Sequence, residues 1–281
     1  MPDTARRVLR YGGDLGSLVE QHDALPRCMD RLREMIAEAQ QKGTSLPNGT
    51  IVTSRRLQAG CGRFDREWFA PEGGVWLAVA WADILLPEFS RLLPLAAGTA
   101  VCEAVNRFGV DARVKWVNDI LARGRKIAGV LCETTTAEDP GERYHLIGIG
   151  VNCNNSTFPE ELRSSATSMR LELGGDIDLG AFSIELLACL AWNFGLIHFY
   201  EEQSLAGQDG RSEKRNNPVV EAWKRVSDTP GRAVMYGFDV MRAPMYRAVA
   251  RDIDQEGALV MELENGMLVR EYSGEIIYLS D

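Results

Sequence analysis

The sequence predicts an α/β (α+β) domain with a mixed or mainly antiparallel sheet, followed by a small C-terminal β-barrel. Three observations carry this expectation. Val75-Trp76-Leu77-Ala78-Val79-Ala80-Trp81 is almost continuously apolar, as a strand buried on both faces must be. Two long, mostly apolar segments, 88–108 and 179–200, have the length of core helices. After Asp228 the texture changes to short strands with tight turns, at 232–236, 245–251, 257–262 and 267–271.

The remaining elements follow in order. Residues 1–23 read as an irregular lead-in, too short for a DNA-binding helix-turn-helix domain. Residues 27–41 place Met29, Leu32, Met35, Ile36 and Ala39 on one helical stripe, and Lys42-Gly43 supplies a stop. Thr50–Thr53 is a short strand after the Pro47-Asn48-Gly49 turn. Residues 54–74 carry Arg55, Arg56, Gly60, Gly62, Arg63, Asp65 and Arg66 with no usable period, so they read as a long loop of the kind that often bears function. Val114–Val117 reads as a strand that delivers Asn118 and Asp119 to its end. Segment 126–134 looks like the second arm of a hairpin across Arg123-Gly124, and Tyr144–Asn152 like a further strand. The polar stretch 203–217 reads as a mobile loop and 218–227 as a short helix. The domain boundary is expected at 228/229.

Composition narrows the function classes. A net charge of −9 argues against a general nucleic-acid binder, which needs a cationic face. The six cysteines include no CxxC pair, and the three histidines have no ligand-like spacing, so neither a zinc site nor a disulfide framework is expected. The start, MPDTARRVLRYGGD, lacks the apolar run of a signal peptide, and no uninterrupted apolar stretch has the length of a membrane span. These readings point to a soluble chain in a reducing cytoplasm.

Four segments carry chemistry. In Gly60-Cys61-Gly62-Arg63 the glycines let backbone N–H groups approach an anion, and Arg63 adds a charge-assisted donor. In Lys115-Trp116-Val117-Asn118-Asp119 the carboxylate can hold Mg²⁺ and Asn118 can bond a nucleotide; an ordinary Asn-Asp turn explains the same residues. Lys126, entering the apolar strand Ile127-Ala128-Gly129-Val130-Leu131, projects an ammonium from a rigid element; snorkelling at a strand end is the plain alternative. In Gly148-Ile149-Gly150-Val151-Asn152 the glycines permit either close approach of a ligand or tight packing on a helix. No P-loop is present, and Gly60-x-Gly62 lacks the third glycine of the dinucleotide fingerprint.

Taken together, these segments resemble the biotin protein ligases of the biotin/lipoate ligase family. That family's pattern runs Gly-Arg-Gly-Arg, Lys-Trp-Pro-Asn-Asp, Arg-Lys-(Leu/Ile)-Ala-Gly-Ile-Leu-x-Glu and Gly-Ile-Gly-Ile-Asn. Here it stands as Gly60–Arg63, Lys115–Asp119, Arg125–Glu133 and Gly148–Asn152. Trp68-Phe69-x-Pro71, Phe158–Leu162 leading to Ala166-Thr167-Ser168, Asp252–Leu259 and Gly274-Glu275-Ile276 extend the likeness over roughly 50–281.

The resemblance implies a class II synthetase-like sheet with flanking helices and an SH3-like C-terminal barrel. It implies that biotin and Mg-ATP give biotinyl-5′-AMP, and that a lysine of a biotin carboxyl carrier protein then takes the biotinyl group. Lys126 falls on the family's essential lysine and Arg63 on its adenylate-retaining arginine. Gly60, Cys61, Gly62, Trp68, Lys115, Asn118, Gly129 and Asn152 fall on substrate- and adenylate-binding positions, and Asp119 on the metal position. The loop 57–67 is expected to be mobile without ligand and to order over the adenylate. A monomer or homodimer is expected, with no repressor domain, no DNA partner and no membrane partner.

The sequence departs from the pattern on the biotin side. The family's Ser-Thr-Asn motif, whose hydroxyls bond the ureido group, is replaced by Leu25-Pro26-Arg27-Cys28. Its loop glutamine falls on Leu57, its first loop arginine on Cys61, and its next Arg-Gly on Phe64-Asp65. Each lost polar partner of a buried ureido costs about 1–3 kcal/mol. Two other readings therefore stand beside biotin ligation: a diverged ligase that adenylates another carboxylic acid, and a non-catalytic member that binds a nucleotide or a partner.

Overall fold

The computed structural model describes residues 3–136, 142–206 and 216–279. Its helices are α1 (Asp3–Tyr11), α2 (Cys28–Gln41), α3 (Pro87–Ser90), α4 (Leu93–Arg107), α5 (Met169–Leu173), α6 (Leu179–Ala206) and α7 (Pro218–Val226). Its strands are β1 (Val19–His22), β2 (Thr50–Ser54), β3 (Val75–Ala82), β4 (Ala112–Lys115), β5 (Asp119–Ala122), β6 (Arg125–Thr136) and β7 (Arg143–Val151), then β8 (Ala233–Gly237), β9 (Tyr246–Ile253), β10 (Leu259–Leu263), β11 (Leu268–Glu271) and β12 (Glu275–Tyr278).

The first seven strands form a mixed sheet in the order β1-β2-β3-β7-β6-β5-β4. β1 and β2 run parallel, and every other neighbouring pair is antiparallel. The apolar run 75–81 sits in this sheet between β2 and β7, which explains why it shows no polar alternation. One face is covered by α4, with α7 beside it on β4; α6 packs on α4 and reaches the sheet where Phe194 meets Trp81, and α1 packs on α6. The other face carries α2, whose stripe of Met29, Leu32, Met35 and Ile36 covers β2, β3 and β7. The rest of that face is left open.

Three expectations need correction. The lead-in 1–23 is not irregular: it holds α1 and the edge strand β1. Only Val8 of α1 is buried, so no apolar stripe announces it. The helix is held instead by backbone approach to α6. A Cβ on Gly12 would lie 1.8 Å from the Ala191 carbonyl oxygen, and one on Gly195 would lie 2.0 Å from that of Val8. The segment 88–108 is two helices, because Pro94 belongs in a first turn and α4 starts at Leu93. Residues 203–206 of the expected loop 203–217 are the last turn of α6, whereas 207–215 lie outside the described residues.

By length and composition α6 would be apolar enough to cross a membrane. Here it is a core helix, with Phe182, Leu186, Leu190 and Phe194 fully buried.

The last five strands form an antiparallel sheet in the order β11-β10-β9-β8-β12, as expected of an SH3-like module; β12 is one strand more than the sequence suggested. Its apolar side is continuous with the main core. Val234, Ala250, Ile253, Leu259, Met261 and Ile276 share one cluster with Trp81, Leu92 and Trp116. Gly257 is so close to α4 that an added Cβ would meet Leu92 at 2.9 Å and Leu95 at 3.0 Å.

Candidate functional site

A cavity of about 580 Å³ opens on the sheet face that α2 leaves bare. Its floor is made by what β6 and β7 omit. Gly129 and Gly150 pair across the two strands, and Gly148 pairs with Leu131. Side chains from elsewhere occupy the space. A Cβ on Gly150 would come within 2.7 Å of the Trp68 indole nitrogen, and one on Gly148 within 2.7 Å of the Met29 sulfur. Trp68 therefore lies on the floor as a second layer. Its Nε1 is buried without a partner, as is that of Trp116, which also lines the cavity.

The sequence-predicted lysines and aspartate meet at one end. Lys115 closes β4, Asp119 opens β5 opposite it, and the β5–β6 hairpin brings Lys126 alongside. Asp119 receives both ammonium groups: Lys126 Nζ lies 2.6 Å from Oδ1 and Lys115 Nζ lies 2.9 Å from Oδ2. Burial pushes the Asp119 carboxyl up, but the two lysines outweigh it and hold the group well below the ordinary carboxylate range. Lys126 also lies over the Trp68 ring, 5.1 Å from its centroid. Its backbone is fixed on the far side, donating to Ser165 O at 2.7 Å and accepting from Thr167 N at 3.0 Å.

Asn118 and Asn152 brace this end. The Asn118 amide donates to Val130 O, while Val130 N donates back to Asn118 O at 3.1 Å. Asn152 donates to Thr167 O at 3.0 Å, and its side-chain oxygen is buried without a partner beside the cavity. An orphaned acceptor of that kind costs about 1–3 kcal/mol unless a ligand donor reaches it.

Asp119 was expected to hold a metal. Its two oxygens are instead taken by ammonium groups, and no cluster of three His, Cys, Asp or Glu residues that could cage an ion exists among the described residues. The donor set does not fit a resident metal, and no chemistry below is routed through one.

The glycine loop crosses the mouth as a compact hairpin. Gly62 N donates to Arg66 O at 2.8 Å, Trp68 N donates to Gly60 O at 2.8 Å, and Cys61 bridges Glu67. Phe64 and Asp65 both have φ of +57°, in the left-handed region, and the family pattern keeps a glycine at the second of these positions. Gly60 has no room for a side chain: an added Cβ would lie 2.4 Å from Trp68 O. Arg63 lines the cavity, and its Nη1 donates to Gly274 O at 2.6 Å. The loop thus touches the C-terminal sheet, a contact invisible in the sequence because its partners are 211 residues apart.

That sheet supplies one wall, including Val240, Met241, Ile276 and Tyr278. It also orients the Lys115–Asp119 turn. Trp116 N donates to the fully buried Thr229 Oγ1 at 3.0 Å, Thr229 bonds Tyr278 OH at 2.8 Å, and Tyr278 donates to Asp228 Oδ1 at 2.9 Å. None of Thr229, Tyr278 or Asp228 was singled out from the sequence as a site residue; Asp228 entered only as the domain boundary.

The opposite end of the cavity is closed by Cys28, Met29, Leu57 and Leu131. Burial pushes the Cys28 thiol up to about 12, so it stands there as a neutral group. Leu57 is held by the Leu25–Leu57 bridge and by its own N–H to Ala70 O at 2.9 Å. Arg27, the N-cap residue of α2, lines this end, with Glu133 and Asp30 each 3.9 Å away.

Residues 28–154 match the biotin/lipoate A/B protein ligase family. The biotin--[acetyl-CoA-carboxylase] ligase of Mycobacterium tuberculosis is 30% identical over 239 residues, covering 83% of this chain and 80% of that protein. The chain belongs to the biotin/lipoate protein ligase family. The bifunctional ligase/repressor BirA of Bacillus spizizenii is 31% identical over 234 residues, 82% of this chain and 66% of its own length. Against such bifunctional relatives this family member spans between about half and two thirds of their length. A solved biotin protein ligase from Aquifex aeolicus, in complex with biotin and ATP, shares the fold. Its TM-score is 0.72 over 93% of this chain and 99% of that one, at 20% identity.

Proposed function

We propose that the chain is an ATP-dependent ligase that activates biotin as biotinyl-5′-AMP and passes it to a lysine of a biotin carboxyl carrier protein. The observation that carries this reading is the Lys126–Asp119–Lys115 group at one end of a cavity whose other end is apolar apart from Arg27. An acid with an apolar body fits with its carboxylate toward Lys126. ATP then lies along the Lys115–Asn118 turn and Asn152.

The chemistry asked of the chain is charge stabilisation. The acid's carboxylate oxygen attacks the α-phosphorus and pyrophosphate leaves. Lys126, aimed by Asp119, offers its ammonium to the negative charge gathering on the α-phosphoryl oxygens. Arg63, in the loop over the mouth, faces the same mixed anhydride and shields it from water. A carrier lysine then attacks the acyl carbon, and AMP departs. Magnesium enters this reading only as the ion of the ATP, carried by its phosphates.

In the same reading, residues 1–228 are the ligase unit and 229–281 its C-terminal module. A reducing cytoplasm suits the six free thiols. Adenylation of another carboxylic acid remains the second reading, favoured by one observation: Leu57 and Cys28 stand where the family pattern has polar partners for the ureido group. The test is ATP–pyrophosphate exchange with biotin, then with lipoic and octanoic acids. Exchange with biotin, followed by label on a carrier domain, supports the first reading. Exchange confined to the ureido-free acids replaces it with the second, and no exchange with any acid removes both.

A further inference from the structure

Arg66 takes no part in the chemistry just described, yet it is the most heavily bonded side chain of the loop. Its guanidinium binds Glu275 in bidentate fashion, Nη1 to Oε1 at 2.9 Å and Nη2 to Oε2 at 2.8 Å. The same Nη2 reaches Asp239 Oδ1 at 2.5 Å. Both carboxylates are largely shielded, with 13% and 17% of their side-chain surfaces exposed. Asp239 has one other cation nearby, the exposed Arg242 at 3.7 Å.

Aromatic contacts run beside this tie. Phe64 lies under the Arg66 guanidinium at 5.3 Å and meets Phe238 edge-on at 5.6 Å. Arg63 adds its bond to Gly274 O. Apart from the Phe64–Arg66 contact within the loop, these contacts join residues 63–66 to the turn after β8 (Phe238, Asp239) and to Gly274 and Glu275 at the start of β12.

A planar fork held by two shielded carboxylates is a specific clamp, since swinging the loop away would leave two like charges facing each other with only the exposed Arg242 beside one of them. We propose that Arg66 is a positioning residue. Clamped by Asp239 and Glu275, it holds the loop 60–67 shut against the C-terminal sheet, and the lifetime of this clamp sets how long the acyl-adenylate is kept from solvent. The proposal rests on the ligase reading for its intermediate, but the clamp itself is a property of the free chain.

The test therefore has two arms. The first needs no activity. Limited trypsin digestion of the ligand-free protein follows cleavage after Arg63, in wild type and in Asp239→Asn/Glu275→Gln. Cleavage should be about tenfold faster in the double variant, with an unchanged melting temperature. Equal rates overturn the clamp whatever the protein catalyses.

The second arm compares pyrophosphate exchange with acceptor-free release of adenylate, read as hydroxylamine-trapped acid. In the double variant, release should rise about tenfold while exchange stays within threefold of wild type. Arg66→Glu should leak likewise, and Arg66→Glu/Glu275→Arg should recover retention. Two results overturn the role. One is exchange and release falling together. The other is loss of exchange in Arg66→Ala with no leakage in the double carboxylate variant, which would put Arg66 on the nucleotide. If wild type exchanges with no acid, the ligase reading fails, and the digestion arm still decides the clamp.

Discussion

At its Lys126 end the cavity is built from charges fixed to strands; at its Met29 end it is built from side chains laid against a helix terminus. Lys115, Asp119 and Lys126 occupy paired positions in β4, β5 and β6, and each backbone is pinned by ladder bonds. Cys28, Met29 and Leu57 come from the start of α2 and from a loop, and they fill space without hydrogen-bonding across the cavity. The first arrangement tolerates no displacement, because stabilising charge in a transition state requires donors held in advance. The second can change shape without moving the first. On the ligase reading, conserving the reaction while altering the acid therefore asks for changes at one end only.

The largest test of that contrast is Lys126→Ala. It should lower the adenylation rate by roughly 10²–10³, about 2.7–4 kcal/mol by analogy with a lost oxyanion donor. Its melting temperature should stay near wild type, since Asp119 keeps Lys115. Pyrophosphate exchange within threefold of wild type would show that the charged end is only structural.

A smaller effect separates the two readings of the apolar end. Leu57→Gln places an amide beside the tail of the acid. If that tail is a ureido ring, calorimetry should show biotin binding about three- to tenfold tighter, the worth of one net hydrogen bond of 0.5–1.5 kcal/mol. If the tail is a plain chain, affinity should fall instead. No change in either direction would mean that the tail never reaches Leu57.

The least effect is in pH. Folding lowers the Asp119 carboxyl, so its ion pairs stabilise fully above the unfolded value of about 3.9 and fade as pH falls below it toward the lower folded value. The gap in denaturant midpoint between wild type and Asp119→Asn should be constant from about pH 5 to 8 and narrow below about pH 4. A gap that widens in acid would contradict the ion-pair geometry.

Much of this architecture could be read from the chain because its signals are local. The run 75–81 could only be a central strand, and the Arg123-Gly124 turn forces Lys126 back beside Asp119. The charged end of the cavity was legible for the same reason, since its residues lie on three consecutive strands joined by two tight hairpins. What escaped depended on contacts without a local pattern. Helix α1 rests on α6 through Gly12 and Gly195, residues that lower helix propensity rather than raise it. The Arg66 clamp spans 209 residues, and Thr229 reaches Trp116 across 113. A serine-glycine turn before Glu275 gave no hint that β12 would form part of the cavity wall.

The bare floor of β6 and β7 has one more consequence. Depth there is set by absent methyl groups on Gly148 and Gly150, whereas one on Gly129 would press on the Lys126 side chain, with Cε 3.1 Å and Nζ 3.3 Å away. A side chain added at Gly148 would push on the Met29 thioether, a soft stop, and would shorten the room for the tail of the acid. One added at Gly150 would push on Trp68 and change its width. Neither touches the ladder bonds that hold Lys126 and Asp119. On the ligase reading, substitutions at Gly148 or Gly150 would re-gauge the pocket for a shorter or slimmer acid without displacing the backbone of Lys126 and Asp119.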